Sequence, residues 1–134
     1  MEAFEIITIP VNKPYTVELI LSYDDPVVAG EDFDFDSKEE NAAYERKFHS
    51  GELVNAVITA RVSAHGFSES ESIGGCHLAS NNLRMDAVGM AAEHALIPSA
   101  RAELNATFDK IRSLPMLPKL TLKEGGIPKC QKIV

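Results

Sequence analysis

Two segments near the start of the chain alternate apolar and polar positions with the period of a β-strand. Phe4 to Val11 sets Phe4, Ile6 and Thr8 against Glu5, Ile7 and Ile9, and Pro10 and Asn12 end it. Tyr15 to Tyr23 alternates more sharply. Tyr15, Val17, Leu19, Leu21 and Tyr23 share one face, and Thr16, Glu18, Ile20 and Ser22 the other. The link Asn12-Lys13-Pro14 is short, so the two strands are expected to pair as an antiparallel hairpin. The clearest strand is Glu52 to Ser63, with Val54, Ala56, Ile58, Ala60 and Val62 on one face. Ala64-His65-Gly66 predicts a turn, and Phe67 to Leu78 a serine-rich partner strand that Gly74-Gly75 distorts.

Elsewhere the apolar spacing becomes helical. After Asp24-Asp25-Pro26 stops the second strand, residues 24–37 read as an acidic loop with Gly30 in its middle. Ser37 to Glu40 is a capping-box pattern, S-x-x-E, which satisfies free donors at a helix start. A helix of about Lys38 to His49 follows, with Tyr44 and Phe48 on one face and Gly51 as terminator. Later, Val88, Ala91, Ala92, Ala95 and Leu96 form an apolar stripe between about Leu83 and Leu96, with Met85 and Met90 beside it as core filler. Pro98 is expected to break or kink that helix; Ser99 can cap a second one, near whose start Pro98 is tolerated and whose buried face is Ala100, Leu104, Phe108 and Ile111. Pro115 and Pro118 end it, and residues 115–134 read as a loop-rich tail with room for one short edge strand.

The order is therefore ββαββαα. It predicts one α+β domain over residues 1–134, an antiparallel sheet of about four strands with helices packed on one face. Composition agrees. A chain of 134 residues with 45% apolar side chains can build its core without disulfides or a structural metal. No run approaches the ~20 apolar residues of a membrane span. The N-terminus is acidic before it is apolar, unlike a secretory signal. Cys76 and Cys130 alone imply no disulfide framework, and reduced thiols in a cytoplasm are the expectation.

Charge changes the picture more. The net charge is −7, and it is unevenly spread. Glu18 to Glu45 holds ten acids and one base, Lys38, whereas Ser113 to Val134 holds four lysines against Glu124. This balance opposes direct binding to a nucleic-acid backbone, which needs a basic surface. It suits a cationic partner, or solubility alone.

Two stretches carry candidate chemistry. In the loop, Asp32, Asp34 and Asp36 alternate with Phe33 and Phe35, and Glu39 and Glu40 follow. D-x-D-x-D resembles the start of a calcium loop, but the sixth and twelfth positions hold Ser37 and Ala43 where Gly and Glu are needed. A line of carboxylates can instead mimic a phosphate backbone and cover a basic groove, with Phe33 and Phe35 as anchors. The plainer alternative is a solvated loop whose phenylalanines tuck inward and whose Asp36, Glu39 and Glu40 complement a helix N-terminus. The second stretch is Gly74-Gly75-Cys76-His77. Glycines admit a ligand or another backbone, and a cysteine can supply a thiolate. Neighbours on a strand point to opposite faces, so Cys76 and His77 would not pair with each other, and an inert buried Cys beside a glycine bulge is the plainer reading. The histidines at 49, 65, 77 and 94 are dispersed, no zinc spacing occurs, and no nucleotide or serine-nucleophile motif is present; no cofactor or metal is expected. Ser68, Ser70 and Ser72 alternate with Glu69 and Glu71 in a polar edge that either guards against aggregation or forms an oligomer contact, so a homodimer is one expectation.

The strand-turn-strand of His49 to Leu78, ending in Gly-Gly-Cys, and the following helix DAVGMAAEHALIPSARAELNATFDKI resemble the small acidic accessory proteins of bacteriophages and plasmids. Anti-CRISPR and anti-restriction inhibitors are among them. The resemblance covers about half the chain and lies in architecture, so it transfers no residue roles. It implies a cytoplasmic protein of a bacterial host that acts without cofactor, by binding a nucleic-acid-handling complex. The expected function is thus an inhibitor that lays an acidic surface on the basic site of a protein or nucleoprotein. The alternative is a small-molecule-binding or enzymatic oligomer with its pocket at Gly74, Gly75, Cys76 and His77. A third option is an assembly protein paired through its polar edge.

Overall fold

The computed structural model describes residues 2–114. Four strands, β1 (Ala3–Ile9), β2 (Thr16–Tyr23), β3 (Leu53–Ala64) and β4 (Phe67–Ala79), form one antiparallel sheet in the order β1-β2-β3-β4. Helix α1 (Lys38–His49) lies between β2 and β3, and α2 (Leu83–Glu93) and α3 (Leu96–Ser113) follow β4. The α+β class and the order ββαββαα are as the sequence predicts. The expected edge strand within 115–134 lies outside the described residues.

Each strand forms where the alternation is strong. On β3, Ala56, Ile58, Ala60, Val62 and Ala64 are buried, and the residues between them are not. They meet Val17, Leu19 and Leu21 of β2 and Ile7 of β1 on the same face. His65 and Gly66 make the β3–β4 turn with φ values of 54° and 84°. Two consecutive left-handed residues give the turn whose twist matches that of the strands it joins.

Helices α2 and α3 cover this face. Ala87 and Ala91 of α2 and Leu96, Ala100 and Leu104 of α3 are buried against it. The alanines let the helix backbones approach the sheet closely. Tyr15 fastens α3 further: its hydroxyl donates to Asn105 Oδ1 at 2.9 Å, and the Arg101 guanidinium lies 4.1 Å from its ring centre. Fully burying each Leu or Ile here contributes about 1.5–3 kcal/mol.

Three expectations need correction. The helix break falls at Ala95, which adopts φ 53°, and Pro98 sits inside the first turn of α3. A proline there loses no intrahelical bond, because first-turn donors have no partner in any case. The buried stripe of α2 is Leu83, Ala87, Met90 and Ala91; Val88 and Ala92 face outward, and Met85 is 71% exposed rather than core filler. Finally, only α2 and α3 lie on the core face. Helix α1 has no buried residue and rests against the opposite face of the sheet, where its Tyr44 meets His77 of β4.

A β-bulge explains that placement. Ile58 pairs with Ile73 and Ala56 with Cys76, so two steps along β3 match three along β4. Gly74 and Gly75 supply the extra residue, and Gly75 has φ 68°, which glycine adopts without strain. The slip reverses the facing of everything after it. Cys76 and Leu78 turn into the core, and His77 turns outward.

Candidate partner-binding face

Residues 24–50 form an arm that leaves β2, crosses the outer face of β3 and β4, and returns through α1. Backbone and side-chain bonds pin its start. The Asp24 N–H donates to the Asn55 carbonyl at 2.9 Å, and Asn55 Nδ2 donates to the Asp25 carbonyl at 2.7 Å. Asp24 Oδ2 accepts the Gly75 N–H at 2.7 Å. That carboxylate fills the space beside the bulge: a Cβ added at Gly74 would stand 2.9 Å from Asp24 Oδ2.

Next the chain turns tightly. Gly30 has φ 90°, its N–H donates to the Phe33 carbonyl at 2.6 Å, and the Val28 N–H donates to Asp32 Oδ2 at 2.5 Å. The turn delivers Phe33 to a cluster of rings on the outer face. Phe33 lies 4.7 Å from Tyr44 edge-on, and Phe48 lies 4.9 Å from His77. The Tyr44 hydroxyl is 2.9 Å from His77 Nδ1. Edge-on ring pairs of this kind contribute about 0.5–1.5 kcal/mol each beyond their buried area. Burial lowers the His77 pKa, with Asp32 pulling it the other way, and burial raises that of Tyr44. The imidazole and the phenol are both neutral at pH 7.

Asn41 then holds the loop to the helix. Its Oδ1 accepts the Phe35 N–H at 2.8 Å, and its Nδ2 reaches Asp34 Oδ1 at 3.5 Å. Ser37 caps α1 as the sequence predicts, its hydroxyl accepting the Glu40 N–H at 3.1 Å. Phe35, Glu40, Ala43, Tyr44 and Lys47 line a shallow cleft of about 220 Å³.

The predicted partner-binding residues are thus brought together, but they divide by role. Phe33 is turned inward, as the plainer reading expected. Asp32 is exposed, yet one of its oxygens is committed to its own turn. Asp34, Asp36, Glu39 and Glu40 are exposed, and Phe35 is 42% exposed. Among the described residues the ion pairs are Arg61–Glu18, Arg84–Glu5 and Arg112–Asp109. None involves an acid of the arm.

No family model, curated protein or solved structure matches this chain.

The residues of the alternative pocket do not share one face of the sheet. Cys76 is 2% exposed beneath α2, with its pKa raised by burial and by Asp24, so its thiol is poorly nucleophilic. His77 faces the other way, into the ring cluster. The two glycines form the bulge, and the Asp24 carboxylate stands against Gly74 and accepts the Gly75 N–H. Among the described residues no three His, Cys, Asp or Glu side chains are grouped to hold a metal ion. No described helix is long and apolar enough to cross a membrane.

Sequence reasoning missed three residues that build this face. Asn41 and Asn55 clamp the arm, and Asp24 anchors it to the bulge. An Asx before a proline signals a turn, but nothing local indicates a contact 51 residues away.

Proposed function

We propose that this chain is a binding protein that lays the acidic arm on a cationic site of a protein or nucleoprotein partner. In this reading it is an inhibitor, encoded by a mobile element, of a nucleic-acid-targeting defence complex in a bacterial cell. One observation carries the reading. Asp34, Asp36, Glu39 and Glu40 are exposed without a Lys or Arg counter-ion among the described residues, on a loop that Phe33 and Asn41 hold in place. Charges held in place need less ordering on binding, so more of their attraction appears as affinity. They would speed encounter with a basic surface and make it salt-dependent. Phe35, half-exposed beside the Tyr44 cleft, supplies the apolar anchor that charge alone lacks.

The test is capture of nucleic-acid-processing complexes from a bacterial lysate at rising salt, with the wild type and an Asp34→Asn, Asp36→Asn, Glu39→Gln, Glu40→Gln variant. Asp32 is kept because it holds the turn. The expected result is at least about tenfold weaker capture by the variant and a shallower salt dependence. Capture that is equally strong and equally salt-sensitive in the variant ends the proposal.

A further inference from the structure

A second surface is shaped for a different contact. Among the described residues strand β4 is an edge of the sheet, pairing with β3 alone. Its last part is engaged, since the Gly75 N–H goes to Asp24 and the Ala79 N–H to Asp86 Oδ2 at 2.8 Å. From Phe67 to Ile73 neither proline nor lysine interrupts it. Seven residues at about 3.3 Å each give roughly 23 Å of edge.

The side chains along this edge form two rows. Ser68, Ser70 and Ser72 are exposed on the outer face, where Ser72 Oγ lies 2.7 Å from Thr59 Oγ1. Phe67, Glu69, Glu71 and Ile73 lie on the helix side, opposite Ala64, Val62, Ala60 and Ile58. Helix α3 roofs that row. Phe67 meets Phe108 at 5.9 Å between ring centres, and Thr107 Oγ1 donates to Glu69 Oε2 at 3.2 Å. Glu103 lies one turn before Thr107 on α3, its carbonyl accepting the Thr107 hydroxyl at 3.1 Å. The groove that this row lines beside α3 is therefore apolar at both ends, at Phe67 and Ile73, and acidic in the middle, at Glu69 and Glu71.

We propose that this groove takes an extended segment of a partner protein as a fifth strand. The segment would carry apolar residues at its two ends, Lys or Arg at two alternate positions between them, and small polar residues on its outer side. Main-chain bonds to the edge would supply affinity, and pairing across to Glu69 and Glu71 would supply selection. Because the pattern is symmetric, either strand direction satisfies it. A second copy of this edge is a poor occupant: antiparallel pairings centred on residues 69, 70 or 71 set glutamate against glutamate. This surface is separate from the acidic arm, and neither proposal depends on the other.

The probe is a capped peptide with valine at both ends, lysine at its third and fifth positions and threonine elsewhere, titrated into the full chain at low salt and followed by amide NMR shifts. Shifts confined to β4 and to the Glu103–Thr107 turn of α3 are expected, with new exchange protection at alternate β4 amides. Binding should weaken about tenfold in Glu69→Lys/Glu71→Lys and severalfold in the milder Glu69→Gln/Glu71→Gln, which keeps the fold testable. Glutamate in place of both peptide lysines should abolish it. The idea is overturned by shifts centred on residues 31–40, by equal binding to the Gln variant, or by no shifts at millimolar peptide. Release of residues 115–134 from the edge on peptide addition would also overturn it, by making the chain its own occupant.

Discussion

The body of the molecule and its arm are held by different means. The body buries Leu19, Leu21, Ile58, Leu78 and Leu104 completely between sheet and helices. The arm buries Val27 but no residue of α1, and attaches through one cluster of rings and a few hydrogen bonds. Large apolar burial makes a region cooperative, whereas a small half-wet cluster makes one that can open alone. The acidic residues are therefore carried by the part of the fold with the lower local stability. Their presentation depends on one cluster, and not on the core.

Three experiments test this division between body and arm. Leu19→Ala removes a fully buried side chain from the body and should cost about 2–5 kcal/mol of global stability, read as a lower denaturant midpoint with an unchanged slope. Phe33→Ala removes the ring that ties loop to helix and sheet. It should cost about 1–2 kcal/mol of arm docking only, seen as faster hydrogen exchange in α1 with exchange in β2 and β3 unchanged. Equal acceleration in the sheet would show that arm and body are one unit. The smallest effect is that of pH. With the arm docked on it, His77 of β4 binds its proton less readily than in an unfolded chain. Docking is therefore intact above about pH 6.5 and is progressively lost as pH falls through the lowered folded value. Tracking the His77 ring protons together with α1 exchange between about pH 7.5 and 5 should show both changing together.

Much of the body was legible because its elements announce themselves locally. The β3 alternation places that strand to within a residue, and even in the arm the S-x-x-E pattern marks the start of α1 and Gly51 its end. The α2–α3 boundary was not legible. Ala95 takes a left-handed conformation that glycine usually marks, while Pro98, which looked like the break, fits the first helical turn. In α2 the apolar residues run nearly all the way round, so the sequence did not reveal which side faces the sheet. The arm illustrates the deeper difficulty. Tyr44 and Phe48 were readable as neighbours, but their partners Phe33 and His77 come from two other elements. Whether His77 faces them depends on the bulge, which Gly74-Gly75 suggested without giving its register.

That bulge acts as a reading frame for the end of β4. Upstream of it even-numbered residues look outward, and downstream of it odd-numbered ones do. A chain shortened by one of the two glycines would keep every side chain's chemistry and exchange its address. The imidazole would enter the oily interior, the thiol would meet water, and the acidic arm would lose the ring against which it rests.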